Sequence, residues 1–119
     1  MSLSIFTKKN LTRVVMPLTL ALTAFSANVL AADVDADGAN GVLKKNNCTK
    51  CHSVDKDKSG PSFKKTAAAL KGKPDAEAKL TKHLTTGPMV KVDGAEEKHK
   101  VIVATDAELK NVIQYILSR

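Results

Sequence analysis

The 119-residue sequence has no tryptophan, one tyrosine (Tyr115) and three phenylalanines (Phe6, Phe25 and Phe63). A chain this short buries a limited fraction of its surface, and so few rings leave its core short of bulk. Leu, Ile, Val and Ala are plentiful, yet a bound apolar cofactor would supply the missing volume. The scarcity of aromatics also argues against nucleic acid as a partner. Bases would find no platform to stack on, and the lysines are spread without a dense block. No internal repeat, low-complexity tract or domain linker interrupts the chain, whose length suits one domain. Also missing is the uninterrupted apolar run of about 20 residues that a membrane-spanning helix needs. The best stretch, Val14 to Phe25, is broken by Pro17, Thr19 and Thr23.

That short apolar stretch follows Lys8, Lys9 and Arg13 and precedes the small residues Ala27, Val29, Ala31 and Ala32. Positive, apolar and small-residue regions in this order are those of a secretory signal peptide. The sequence therefore predicts a signal peptide over residues 1–32, cut after Ala31 or Ala32, and export to the periplasm of a single domain over residues 33–119. No cysteine lies near the cut, which argues against a lipid anchor. Removing residues 1–32 leaves 87 residues. It takes away three bases and no acid, so the formal charge falls from +7 to +4. Met89 is then the one remaining methionine, and Phe63 and Tyr115 the remaining aromatics.

The start of the exported part, Asp33, Asp35, Asp37 and Gly38, has the look of the front of a calcium loop. Such a loop needs a glutamate at its twelfth position, where this chain has Lys44. The acids suit a helix N-terminus instead. A short helix is expected from Asp37 to Lys45 with Val42 and Leu43 inward, a second from Ser62 to Leu70 ended by Gly72, and a third from Pro74 to Leu84 with Leu80 and Leu84 on one face. Thr86, Gly87 and Pro88 stop the third. Residues 88–104 read as a loop or short hairpin turning at Asp93–Gly94. The last helix is the clearest. Thr105 and Glu108 form a capping box, and Leu109, Val112, Ile113, Ile116 and Leu117 follow helical spacing. The fold class expected is all-α, with three to five short helices.

One motif carries chemistry: Cys48-Thr49-Lys50-Cys51-His52. Two thiols at this spacing can add across the vinyl groups of a haem, and the adjoining imidazole can reach its iron from the same side. Three rivals stand beside this reading. A disulfide between Cys48 and Cys51 suits an oxidising compartment. A thioredoxin-type redox pair expects a βαβ context, and none is visible. A zinc site would need four ligands, drawn from Cys48, Cys51, His83 and His99, and the two histidines are not at finger spacing. With haem, the far side of the iron needs a ligand. Met89, 37 residues beyond His52, is the first candidate. His83, beside Lys82, and His99, in a charged run, are the alternatives, both expected at the surface.

In these residues the chain resembles the class I cytochromes c, the small bacterial type with His–Met ligation, from about Gly41 to Leu117. The resemblance rests on the helix leading into Cys48–His52, on Lys58-Ser59-Gly60-Pro61-Ser62-Phe63-Lys64 as the family's Gly-Pro segment, on the loop bearing Met89, and on the final helix with Tyr115. It implies one covalent haem c held by Cys48 and Cys51, His52 and Met89 on the iron, and the Pro61 carbonyl accepting from the His52 ring. It implies Tyr115 packing where first and last helices cross, with Gly41 allowing the approach. Two departures stand out: no tryptophan is available to a haem propionate, and proline precedes Met89 where many relatives have it after. The implied function is electron transfer between larger redox proteins by a non-enzymatic monomer. Lys50, Lys56, Lys58 and Lys64 would steer it to acidic surfaces. A haem-based sensor or weak peroxidase with an open sixth site is the alternative.

Overall fold

The computed structural model describes residues 33–119, so the expected signal peptide lies outside the described residues. Helix α1 spans Ala36–Lys45, α2 Phe63–Leu70, α3 Ala76–Thr86 and α4 Asp106–Leu117, with a single 3-10 turn at Cys48–Lys50. A two-stranded antiparallel hairpin, β1 (Met89–Val92) and β2 (Ala95–Lys98), sits between α3 and α4. The expectation of an all-α fold is thus corrected to four helices and a small sheet. The physical cause is the turn. Asp93 and Gly94 both take positive φ, at 49° and 89°, the conformation a tight hairpin turn demands.

Three of the four helices begin at a side-chain cap, and α3, which follows Asp75, does not. The Asp35 side chain accepts from the Gly38 amide at 2.8 Å, so the acidic start caps α1 as its chemistry suggests. Ser62 accepts from the Lys65 amide at the head of α2. At α4 the capping box is complete: Thr105 Oγ1 accepts from the Glu108 amide, and the Glu108 carboxylate accepts from the Thr105 amide at 2.8 Å. Gly87 ends α3 in the left-handed region, as the C-terminal position after a helix favours.

Helices α1, α2 and α3 all pack on α4. The core gathers Val42 and Leu43 from α1, Phe63 from α2, Leu80 and Leu84 from α3, and Val112, Ile113, Tyr115 and Ile116 from α4. Tyr115 meets Phe63 edge-on, with ring centres 6.3 Å apart, an arrangement that suits the opposite charges of ring face and ring edge. Gly41 does not mark the close approach of helices. It is exposed, and a side chain there would meet nothing. Ala39, with no exposure at all, is the small buried residue of α1. No helix among the described residues is long and apolar enough to cross a membrane.

Candidate haem site

Between α3, the hairpin and the Cys48–His52 turn lies a cavity of about 710 Å³, within the range of small-molecule sites. Cys48, Cys51 and His52 stand on its wall, with Leu43, Leu80, Leu84, Ile102 and Ile116 supplying apolar lining. Asn47 precedes Cys48 with φ of 59°, a left-handed conformation that asparagine tolerates. The chain then tightens: the amides of Cys51 and His52 both donate to the Cys48 carbonyl, at 3.2 and 3.0 Å. This short turn brings both thiols and the imidazole to one cavity. The two cysteines are not joined to each other in a disulfide. Burial pushes the Cys48 thiol up from its ordinary value, against the opposing pull of Lys100.

The loop after His52 is built to orient its ring. The Gly60 amide donates to the Cys51 carbonyl at 2.9 Å, and Phe63 and Lys64 donate to the carbonyls of Ser53 and Val54. Asp57 accepts from the Ser62 amide at 2.7 Å and from Lys65 Nζ at 2.7 Å. These bonds hold the Asp57 carboxyl below its usual range, the Lys65 bond most strongly. Pro61 is thereby set so that its carbonyl accepts from His52 Nδ1 at 2.6 Å. A carbonyl can only accept, so Nδ1 carries the proton and Nε2 is the nitrogen left for a metal. Phe63 stacks on the same ring, with centres 5.8 Å apart. Gly60 is there because nothing larger fits: a Cβ would lie 2.5 Å from His52 Cε1.

The other histidines depart from expectation. His83 and His99 are half-buried and both line the cavity. Their rings meet edge-on with centres 4.4 Å apart. Burial pushes both pKa values below the ordinary imidazole value. Hairpin register explains His99. Pairing Met89 with Lys98 returns the next residue to the end of α3, where the His99 amide donates to the Pro88 carbonyl at 2.8 Å. The Asp93–Gly94 turn, counted outward, was the signal that could have found it.

Met89 is not brought together with the other site residues. It is 60% exposed and absent from the cavity lining. Successive side chains on a strand point to opposite faces. Val90 and Val92 are half-buried and line the cavity, while Met89 sits on the alternate, exposed phase.

Among the described residues no group of three or more His, Cys, Asp and Glu side chains is gathered to hold a metal, so the four-ligand zinc arrangement is not assembled. Sequence reasoning also missed Asn46. Its side chain is 3% exposed, donates to the carbonyls of Val42 and Val103, and accepts from the Val103 amide at 2.8 Å. It clamps the end of α1 to the segment that carries His99 toward α4.

Two thiols and an imidazole on the wall of a largely apolar cavity suit a flat apolar macrocycle with a central metal. The cytochrome c family profile matches residues 36–119. The chain belongs to the cytochrome c family. Its cofactor is therefore covalently bound haem c, and Cys48 and Cys51 fit the attachment motif. Among solved structures it is similar to class 1 cytochrome MtoD from Sideroxydans lithotrophicus ES-1. The two are 51% identical over 71% of this chain and 96% of that one, with a TM-score of 0.69. It is also similar to wild-type cytochrome c552 from Nitrosomonas europaea, at 29% identity over 66% of this chain and 96% of that one, with a TM-score of 0.56. No curated protein sequence matches it. Family and neighbours together make this cytochrome a haem-based electron carrier.

Proposed function

We propose that this cytochrome, after removal of residues 1–32, works as a monomer in the periplasm and passes single electrons between two larger redox proteins. The observation that carries the reading is the shared cavity wall of Cys48, Cys51 and His52, with the His52 ring already tied through Nδ1 to the Pro61 carbonyl at 2.6 Å. Haem c held here would supply an iron able to alternate between two oxidation states. Cys48 and Cys51 would hold the macrocycle through thioethers, so an exported carrier would not lose it by dissociation. His52 would hold the iron through Nε2, the ring nitrogen that its bond to the Pro61 carbonyl leaves free. The Pro61 hydrogen bond holds the ring in one tautomer and orientation and raises its basicity. Leu43, Leu80 and Leu84 keep water from the buried face.

Docking is electrostatic. Of the lysines expected at the surface, Lys64 is paired with Asp55 at 2.6 Å, and Lys58 Nζ donates to the Thr49 carbonyl at 2.7 Å. Lys91, Lys98 and Lys100 line the cavity and take part in none of the ion pairs among the described residues. With Lys50 and Lys56 they offer a positive surface to an acidic partner, which steers encounter and weakens with salt.

A haem stain on a denaturing gel, with optical spectra of the periplasmic protein in both oxidation states, tests the assignment. A covalently stained, reversibly reducible protein with a low-spin spectrum and slow CO binding is expected. A high-spin ferric spectrum with rapid CO binding or peroxidase turnover would replace the carrier with a ligand sensor or weak peroxidase. A transfer rate to an acidic partner that ignores ionic strength would end the steering argument.

A further inference from the structure

We propose that His99, not Met89, completes the iron on the face opposite His52. The proposal deepens the carrier reading and rests on it. The ring centres of His52 and His99 are 6.1 Å apart. An imidazole nitrogen binds a first-row metal at about 2 Å, so two imidazoles on opposite sides of one metal hold their ring centres roughly 6 Å apart. The two rings are anchored alike. His52 Nδ1 donates to the Pro61 carbonyl at 2.6 Å, and His99 Nδ1 donates to the Lys100 carbonyl at 2.9 Å. Metal-binding histidines characteristically give their second ring N–H to such an acceptor, which fixes the tautomer and frees the other nitrogen.

The backbone at His99 is held as firmly as its ring. Its amide donates to the Pro88 carbonyl at 2.8 Å, and two residues on from Lys100 the Ile102 amide donates to the Leu84 carbonyl at 2.9 Å. Gly87, with φ of 59°, lets the end of α3 approach the His99 carbonyl so closely that a Cβ would overlap it. Met89 has no comparable anchor and stands 60% exposed, outside the cavity lining. A slip of one residue would turn it to the cavity, but the same slip turns Val90 and Val92 out to solvent and breaks the hairpin register. His83 is the other imidazole in the cavity. It packs edge-on against His99 at 4.4 Å, and its ring makes no hydrogen bond among the described residues, so it lacks the anchor that the other two share.

Ligation by two imidazoles gives a lower reduction potential than His–Met ligation, because a thioether raises it. The test uses the exported holoprotein, with covalent haem confirmed by mass. Electron paramagnetic resonance and near-infrared magnetic circular dichroism of the ferric protein read the axial ligands directly. The wild type is expected to show a low-spin two-imidazole signature and no sulfur-to-iron band. Met89→Ala leaves that signature unchanged. His99→Ala loses it and regains a low-spin spectrum when free imidazole is added, and His99→Met raises the potential. A sulfur-to-iron band in the wild type that disappears in Met89→Ala overturns the proposal, and so does an iron opened by His83→Ala and not by His99→Ala. Should the His99 variants fail to fold, the wild-type spectrum and Met89→Ala still decide between sulfur and imidazole. A protein without covalent haem overturns the carrier reading beneath, an outcome separable from a wrong axial ligand.

Discussion

Replacing Asn46 by alanine removes the clamp between α1 and the segment leading to α4. Three hydrogen bonds go: Nδ2 to the Val42 carbonyl at 2.9 Å, Nδ2 to the Val103 carbonyl at 3.1 Å, and the Val103 amide to Oδ1 at 2.8 Å. They do not count equally. The Val42 carbonyl also accepts from the Asn46 backbone amide at 3.0 Å, so its loss costs little. The two bonds to Val103 span 57 residues of sequence and contribute about 0.5–1.5 kcal/mol each. Val103 is 68% exposed, so water reaches its peptide groups once the amide side chain is gone. The larger penalty for an orphaned buried group, about 1–3 kcal/mol, is then avoided. The expected loss is about 2 kcal/mol, or roughly 8–16 °C in Tm for a domain this size. Urea unfolding of the holoprotein, followed by far-ultraviolet circular dichroism, measures it as a lower midpoint at unchanged slope. A loss below about 0.5 kcal/mol would refute the reasoning, because it would mean that water replaces the clamp without cost.

Four further outcomes follow from the geometry. Gly60→Ala places a Cβ 2.5 Å from His52 Cε1 and 2.9 Å from Nδ1, so the ring must shift off the Pro61 carbonyl; a shifted reduction potential reports it, and an unchanged one speaks against the bond's role. Gly87→Ala forces a side chain into the left-handed region and against the His99 carbonyl; it should cost at least about 1–2 kcal/mol, read by urea unfolding. The Asp57 carboxyl titrates below its ordinary 3.8 because it accepts from Lys65 and Ser62; its stabilisation is complete above that value and is lost as pH falls through the lower folded value. Acid unfolding of Asp57→Asn should therefore show a shallower fall over that window than the wild type, and identical slopes contradict the assignment. The double variant Cys48→Ala with Cys51→Ala leaves a cavity of about 710 Å³ unfilled; its far-ultraviolet spectrum should lose most of its helix, and a native-like spectrum without haem would contradict a cofactor-dependent core.

Local chemistry was legible in the sequence wherever it depends on neighbours along the chain. The capping box at Thr105 and Glu108, the acidic cap of α1, the stop at Gly87 and the turn at Asp93–Gly94 are contacts within a few residues. So is the Cys48–His52 turn. The hydrogen bond from His52 to Pro61 lies nine residues off and was implied by the family resemblance. Residues at the core followed from helical spacing, and Val112, Ile113 and Ile116 are buried as their period required.

What lay beyond reading depends on phase and distance. Strand phase leaves Val90 and Val92 half-buried on the cavity wall and Met89 60% exposed outside it, and a one-residue choice of register reverses that burial. A charged neighbourhood hid His99, because Lys98 and Lys100 describe the solvent on either side of it and say nothing of the chain folded back beneath. Gly41 looked like a packing residue, yet helical phase put Ala39 at no exposure and left Gly41 outside. Cys48, Cys51 and His52 could be read from the chain alone as an attachment motif, because five consecutive residues carry that chemistry. Only the tertiary structure decided which side chain faces His52 across the cavity. That residue is 47 positions away, and its position is the sum of a helix end, a hairpin register and a clamp at Asn46.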